Sequence, residues 1–284
     1  MKCTPLAAPF GAQLHLDPAN PIDGQALRAL FREHGLLVVR GQAFSAAAQR
    51  ELLSHLGRIE PNPDGTPLEM EVTNQHDQTT APEGELIFHY DYAYDPAPVG
   101  VISMYGLLTS ADVTPTLFAS STRVLEDLPA AVLEGLRGLD ARHACFLSPW
   151  NGDGERATMP DPLVPRGEPG WGPDHYWATH PAIWHNDAGV ETLFLCLQHT
   201  DALVGVPREE SDALLQDLFS RLYADENIYE HRWETRDLVI WDNLTVQHAR
   251  PEPRPGPRTL RRYHTATTNL STDYIRVARE LGIM

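Results

Sequence analysis

Cysteine is scarce in this 284-residue chain, which holds only Cys3, Cys145 and Cys196. These three are widely spaced and form no Cys-x-x-Cys pair, which argues against a disulfide framework or a zinc knuckle and favours a reducing cytoplasm. The chain also lacks an apolar run of about 18 residues and an apolar leader. We therefore expect neither a membrane span nor a secretory signal.

Basic residues are few beside acidic ones, at 22 Lys and Arg against 39 Asp and Glu, which gives a formal net charge of −17. Such a charge repels phosphate and argues against nucleic acid and anionic membranes as partners. The hydrophobic fraction of 42% is ordinary for a soluble globular protein. We expect one cytoplasmic domain spanning residues 1–284, and a homo-oligomer, dimer or tetramer, is compatible with it.

The local pattern predicts helices first and short strands later. Apolar spacing predicts a helix over residues 23–34 that Gly35 ends, a buried strand at 36–39, and a helix capped by Ser45 and stopped by Gly57. From about Met70, short strands alternate with Pro, Gly, Asn and Asp, which favours a β-sandwich or barrel over a parallel sheet. The C-terminal strands are predicted at 238–241, 246–248 and 261–267.

One long stretch, at about residues 148–178, is rich in proline and glycine and has no periodicity. Loops of this length in a compact domain are usually functional or disordered. Two interpretations remain open, an active-site lid and a mobile surface insertion.

Histidine is plentiful at thirteen residues, which makes a metal site worth seeking. Mononuclear iron oxygenases use two imidazoles and one carboxylate and leave the other positions open. A His-x-Asp pattern on a strand directs both side chains to one side. It occurs four times, at His15/Asp17, His89/Asp91, His185/Asp187 and His199/Asp201.

Context favours the pair His89/Asp91, because it follows a predicted strand and is surrounded by aromatic residues that could exclude water. Asp187 lies in a predicted hairpin turn, the first pair lies at the edge of the chain, and the last pair precedes a polar run into a helix. A core histidine beside an exposed aspartate remains the alternative for His89.

A second constellation lies near the C-terminus, where Arg261 follows a candidate distal ligand, His248, by thirteen residues (261 − 248). The planar fork of Arg binds a carboxylate with two parallel hydrogen bonds and keeps its proton. The pair therefore predicts a metal-bound keto acid, 2-oxoglutarate, whose far carboxylate meets Arg261. The alternative is a solvated cluster of Arg254, Arg258, Arg261 and Arg262.

Several motifs recur in one order along the chain. They are Phe88-His89-Tyr90-Asp91, Thr116-Leu117-Phe118-Ala119-Ser120, His180-Pro181, Trp241-Asp242-Asn243 with Gln247-His248, and Arg261-x-x-His264-x-Ala266-Thr267. In these motifs the chain resembles, nearly end to end, the taurine dioxygenase and 2,4-dichlorophenoxyacetate dioxygenase family (TauD/TfdA) of Fe(II)/2-oxoglutarate-dependent oxygenases.

The resemblance implies a mainly β fold with flanking helices around a double-stranded β-helix, the cupin-like jelly roll. It implies that His89, Asp91 and His248 bind Fe(II), and that Arg261 and the Thr116 hydroxyl bind 2-oxoglutarate. Dioxygen is then the third reactant, and a small organic molecule is the substrate. The family pattern places Asn74, Tyr90, Tyr92 and the 148–178 loop near that substrate.

Two departures from the family pattern concern the substrate. Thr265 stands where the taurine branch has a second Arg, directly after the last motif's His, which disfavours a taurine-like sulfonate. Phe88 replaces a Trp but keeps an aromatic wall. Asp91 is present where related halogenases have a small residue, which favours hydroxylation. A zinc hydrolase with the same three ligands and a non-catalytic binding protein on this fold are the alternatives.

Overall fold

The computed structural model describes residues 2–17, 19–61, 68–76, 84–144, 177–186 and 189–265. The strands in these ranges are β1 (Lys2–Pro5), β2 (Ala12–His15), β3 (Leu36–Val39), β4 (Met70–Thr73), β5 (Leu86–His89), β6 (Val101–Thr109), β7 (Thr116–Ser120), β8 (Asp140–Ala144), β9 (Trp177–Pro181), β10 (Ile183–His185), β11 (Glu191–Leu193), β12 (Thr200–Leu203), β13 (Ile228–His231), β14 (Leu238–Asp242), β15 (Val246–Arg250) and β16 (Arg258–His264). The helices are α1 (Gly24–His34), α2 (Ala46–Ser54), α3 (Ser121–Asp127), α4 (Ala130–Leu136) and α5 (Arg208–Leu222), with a 3-10 turn at Asp225–Asn227.

Two sheets form the core. One has seven strands in the order β1-β2-β3-β14-β6-β16-β4, and the other has four in the order β13-β7-β15-β5. Their facing sides share one apolar cluster, to which Phe118 and Val246 belong from the smaller sheet and Trp241 and Leu260 from the larger. The prediction of a mainly β, jelly-roll core with flanking helices is confirmed.

Helices and small sheets cover the two outer faces. Leu27 and Phe31 of α1 and Leu52 and Leu53 of α2 pack on the outer side of the seven-stranded sheet, in a cluster that includes Tyr263. A third cluster unites α3, α4 and α5 with the sheets β12-β8-β9 and β10-β11. Strand β16 is consequently covered on both sides.

The predicted helix boundaries reflect capping chemistry. The Asp23 carboxylate accepts from the backbone N–H groups of Gln25 and Ala26, and Gly35 ends α1 with a φ of 65°, where glycine has no steric penalty. Ser45 caps α2 as predicted, but this helix ends at Ser54, before the predicted stop at Gly57.

The last strand begins earlier than predicted, at Arg258 instead of Arg261, because its first residues pair with Leu108 and Thr109 of β6. Strands β1, β9 and β12 were not predicted from the sequence pattern. Residues 148–176 of the predicted lid lie outside the described ranges, so that interpretation stays a prediction. Within the ranges described, no helix is both long and apolar enough to cross a membrane.

Candidate metal centre

Three predicted ligands meet between the two sheets. His89 ends β5 and lies directly across from His248 of β15, and Asp91 follows in the turn after β5. The Asp91 Oδ1 atom lies 3.3 Å from His89 Nε2 and 3.8 Å from His248 Nε2. One potential ligand atom from each residue lies within 4.8 Å of the others, and no second group of this kind occurs in the described part of the chain.

The protonation states suit a divalent cation. The Nδ1 atom of His89 lies 2.8 Å from the Ile87 carbonyl oxygen, which only accepts, so Nδ1 donates this hydrogen bond and Nε2 is the ring nitrogen that faces Asp91. Burial, with the neighbouring His89 imidazole and Arg262 guanidinium, holds the pKa of His248 well below its usual value. Burial alone raises the pKa of Asp91, but Arg262 and the two imidazoles hold it well below its usual range. Two imidazoles and a carboxylate fit Fe(II).

Aromatic rings surround these ligands. The His89 ring packs 4.2 Å from that of His248 and edge-on to His199 at 6.2 Å, while Tyr94 packs 4.8 Å from His199. Trp241 lies 5.0 Å from His248 on the other side. Of the aromatic residues next to His89 in sequence, Tyr94 packs on His199, which lies in the turn before β12, while Trp241 of β14 packs on His248.

Strand β16 presents alternate residues to its two sides. Leu260 belongs to the apolar cluster between the sheets, and Arg262 on the same side donates from Nη2 to Asp91 Oδ2. Tyr263 belongs to the cluster under α1 and α2. By this alternation Arg258, Leu260, Arg262 and His264 form the inner face of β16, and Arg261, Tyr263 and Thr265 form its helix face.

The expected position of Arg261 needs correction, because it lies on the helix face. Its Nε donates to Gln49 Oε1 at 2.8 Å, its Nη2 donates to the Phe44 carbonyl at 2.9 Å, and the guanidinium lies 5.0 Å from the centre of the Tyr105 ring. These contacts tie β16 to α2 and to the segment before it. The structure does not bring Arg261 to the candidate metal ligands.

Arg258 lies on the inner face instead. It is 6% exposed and donates from Nη1 to the Thr114 carbonyl at 3.2 Å, two residues before Thr116. Burial, aided by Arg250, lowers its pKa to about 10. Among the described residues no carboxylate is paired with it. Arg262 and Arg261 are also buried, so a solvated arginine cluster is not what the structure shows at these positions.

Thr116 is buried on the same side of β7 as Phe118, which packs between the sheets. Its Oγ1 accepts from Trp233 Nε1 at 2.9 Å, which leaves the hydroxyl proton available to a ligand. Thr116 therefore shares the inner side of the sheets with Arg258, which contacts the same segment at Thr114.

The residues predicted to lie near the substrate are found in different parts of the structure. Tyr92 remains near the centre, with its ring 6.3 Å from His264. Tyr90 needs correction, because its fully buried hydroxyl bonds to Ser121 and to the Leu193 carbonyl at the back of the small sheet. Asn74 contacts the start of β16, where its Oδ1 accepts from the Arg258 backbone N–H at 2.8 Å.

Thr265 also needs correction, because its side chain lies on the helix face. Its Oγ1 accepts from the Val101 backbone N–H at 2.9 Å, and a Cβ built on Gly57 would lie 2.9 Å from the Thr265 Cβ. The residue therefore packs against the end of α2. The presence of Thr265 in place of the second Arg of the taurine branch is therefore no argument about which substrate binds beside the metal ligands.

The rival His-x-Asp pairs have other partners. His15 Nε2 bonds to Thr4 at the exposed chain edge, and His185 pairs with Glu191 on the surface, while Asp187 lies outside the described residues. Asp201 is fully buried between Arg142 and Arg208.

Sequence reasoning missed Arg262 and Asn243, which contact Asp91, and Arg258, which lies on the same face of β16 as Arg262. Asn243 follows Trp241-Asp242 in a recognised motif, and its side chain bonds to the backbone of Asp91. The predicted strand began at Arg261 and so left out Arg258 and Leu260, and a strand buried on both sides shows no polar-apolar alternation that would separate Arg262 from Arg261.

Comparisons with known proteins agree with this geometry. Residues 2–264 match the family model described as "Taurine catabolism dioxygenase TauD, TfdA family". A protein named (S)-phenoxypropionate/alpha-ketoglutarate-dioxygenase from Delftia acidovorans is 25% identical over 89% of this chain and 90% of its own length. One of the same name from Sphingobium herbicidovorans is 28% identical over 86% of this chain and 87% of its own. The solved structure of AAD-2 with Mn(II) and N-oxalylglycine superposes with a TM-score of 0.72 at 19% identity, covering 95% of this chain and 99% of that one.

Proposed function

The chain belongs to the TauD/TfdA family of Fe(II)- and 2-oxoglutarate-dependent dioxygenases, and from that premise we propose that His89, Asp91 and His248 are its iron ligands. The observation that carries this proposal is the convergence of their three ligand atoms between the sheets. Fe(II), when bound, supplies sites for 2-oxoglutarate and dioxygen and the redox capacity for their reaction. The protein supplies the ligands, the anchors and a dry setting.

The enzyme is a dioxygenase that oxidises a C–H bond of a small organic substrate and releases succinate and carbon dioxide. Relatives named as ketoglutarate dioxygenases do not favour a zinc hydrolase or a non-catalytic binding protein. The single-domain organisation of 1–284 and the cytoplasmic location, which the widely spaced cysteines favour, remain proposals.

The proposed anchor for the far carboxylate of 2-oxoglutarate is Arg258 with Thr116. A buried guanidinium without a paired carboxylate is costly, and an anionic ligand offsets that cost. Its lowered pKa of about 10 still leaves it charged at neutral pH. Arg261, the candidate from the sequence motif, already has Gln49 and Phe44 as partners on the opposite face.

The proposed substrate class is an organic acid. Arg262 lies beside Asp91 on the inner face, and its buried Nε has no hydrogen-bond partner among the described residues. Since an unpaired buried donor is unfavourable, an anionic substrate group there gains a charge-assisted bond. The two relatives named for phenoxypropionate, a carboxylate, support this choice.

The test begins with cosubstrate binding. The full chain is mixed with Fe(II) and 2-oxoglutarate without oxygen, and the visible metal-to-ligand charge-transfer band is recorded. Wild type should show the band, and His89→Ala and Asp91→Ala should lose it. His185→Ala, from a rival His-x-Asp pair, is the matched control and should keep it.

Turnover is then measured as 2-oxoglutarate-dependent succinate release with aryl and alkyl carboxylates and their neutral amides. We expect release with carboxylates and little with the amides. If wild type gives no band, or if His89→Ala keeps the band while His185→Ala loses it, the proposed centre is wrong. Release with amides equal to that with acids would contradict the substrate class alone.

A further inference from the structure

The turn that carries Asp91 is held in an unfavourable backbone conformation. Tyr92, the next residue, has a φ of 58°, and Arg236 is the one other non-glycine residue with positive φ in the described ranges. This left-handed conformation costs an L-residue roughly 1–2 kcal/mol. The turn directs the Asp91 carboxylate back to His89, 3.3 Å away, so the unfavourable conformation lies where the ligand is aimed.

Asn243 is bonded to both peptide groups of Asp91. Its Oδ1 accepts from the Asp91 N–H at 2.9 Å, and its Nδ2 donates to the Asp91 carbonyl at 3.1 Å and to the Val99 carbonyl at 2.8 Å. The side chain is fully buried, and the Asn243 backbone N–H donates to Gly100 at 2.8 Å. Both amide hydrogens and the amide oxygen are therefore used, and they fix the orientation of the Asp91 peptides from both sides.

We propose that Asn243 is the positioning residue for Asp91, which keeps the carboxylate aimed at the two imidazoles. This inference rests on the proposed iron ligands. Only a primary amide offers one acceptor and two donors in one plane, so Asn fits the two Asp91 peptide groups where Asp, Ser or Leu does not. Because ligands must converge within a few tenths of an ångström, a rotated Asp91 peptide weakens metal binding even when the fold persists.

The chain offers a matched control in Asn227. That residue is also buried, at 4% exposure, and its Nδ2 donates to the carbonyls of Ser120 at 3.0 Å and Leu222 at 2.8 Å. It bonds to backbone as Asn243 does, but it bonds to none of the metal ligands. A merely structural role for Asn243 predicts the same behaviour for both asparagines.

The experiment measures Co(II) affinity of the full chain by its visible d–d absorption, alongside urea unfolding, for wild type, Asp91→Ala, Asn243→Ala and Asn227→Ala. Both asparagine variants should lose stability. Asn243→Ala should weaken Co(II) binding by roughly 10- to 100-fold, the usual effect of losing a residue that orients a ligand. Asn227→Ala should bind Co(II) as wild type does.

The outcomes separate the two proposals. If Asp91→Ala binds Co(II) like wild type, the ligand assignment is wrong. If Asp91→Ala loses the metal while Asn243→Ala binds as tightly as Asn227→Ala, Asn243 is a structural amide and the inference is overturned. Should Asn243→Ala fail to fold, Asn243→Ser, which keeps one polar group but cannot reach both Asp91 peptides, takes its place with the same expected weakening.

Discussion

The two faces of β16 differ in what their arginines do. On the helix face, Arg261 bonds to Gln49 and Phe44 and lies over Tyr105, so it fastens the strand to α2. On the inner face, Arg262 contacts Asp91, and Arg258 is buried without a paired carboxylate among the described residues. Arg261 and Arg262, which are adjacent in sequence, thus contact separate parts of the protein. A one-residue error in assigning the faces of the strand would therefore exchange a structural role for a binding role.

The largest expected difference between the faces is in 2-oxoglutarate binding. Arg258→Met should weaken anaerobic 2-oxoglutarate binding to the Fe(II) enzyme by roughly 100-fold, about 3 kcal/mol, because the far carboxylate loses its only proposed cation. Arg261→Met should change that affinity by less than about threefold, since its partners are protein groups. Titration of the charge-transfer band measures both values.

The reverse ranking would place the cosubstrate anchor on the helix face and would falsify the assignment of the inner face as the binding face. Thr116→Val provides an intermediate control, because it removes one neutral hydrogen bond at the proposed carboxylate. It should weaken 2-oxoglutarate binding by roughly tenfold, about 1.4 kcal/mol. The ordering Arg258, Thr116, Arg261 is therefore the expected result.

The sequence predicted most of the strands, and the meeting of His89, Asp91 and His248, better than it predicted these faces. Polar-apolar alternation identifies the inner side of a half-exposed strand, but β16 is buried on both sides, with Leu260 on one and Tyr263 on the other. For His89 and Asp91 the local pattern left four His-x-Asp pairs in competition, and the order of motifs shared with the family decided between them. Whether Arg261 or Arg258 faces 2-oxoglutarate depends on how β16 is paired with β6 and β4. That pairing joins residues far apart in the sequence, so the local pattern does not reveal it.

The next largest difference is in stability. Arg261→Met leaves Gln49 Oε1 and the Phe44 carbonyl without their donors, so it should lower the free energy of unfolding by roughly 2 kcal/mol. Arg50→Met is the control on the same side, because Arg50 is partly exposed, donates to the Tyr263 hydroxyl at 2.9 Å and lies 4.0 Å from the exposed Glu69 carboxylate. It should cost less than about 1 kcal/mol. Urea unfolding measures the loss in both variants. Equal losses in the two would contradict the structural role of Arg261.

The smallest expected effect concerns Thr265, which the sequence placed near the substrate and the structure places against Gly57. Thr265→Val keeps the shape but removes the acceptor of the Val101 N–H, so it should cost about 1 kcal/mol in urea unfolding. Co(II) affinity, 2-oxoglutarate affinity and the substrate preference in succinate release should stay as in wild type, because no helix-face residue meets the centre. A changed substrate preference with unchanged stability would return Thr265 to the pocket, and with it the objection to a sulfonate substrate.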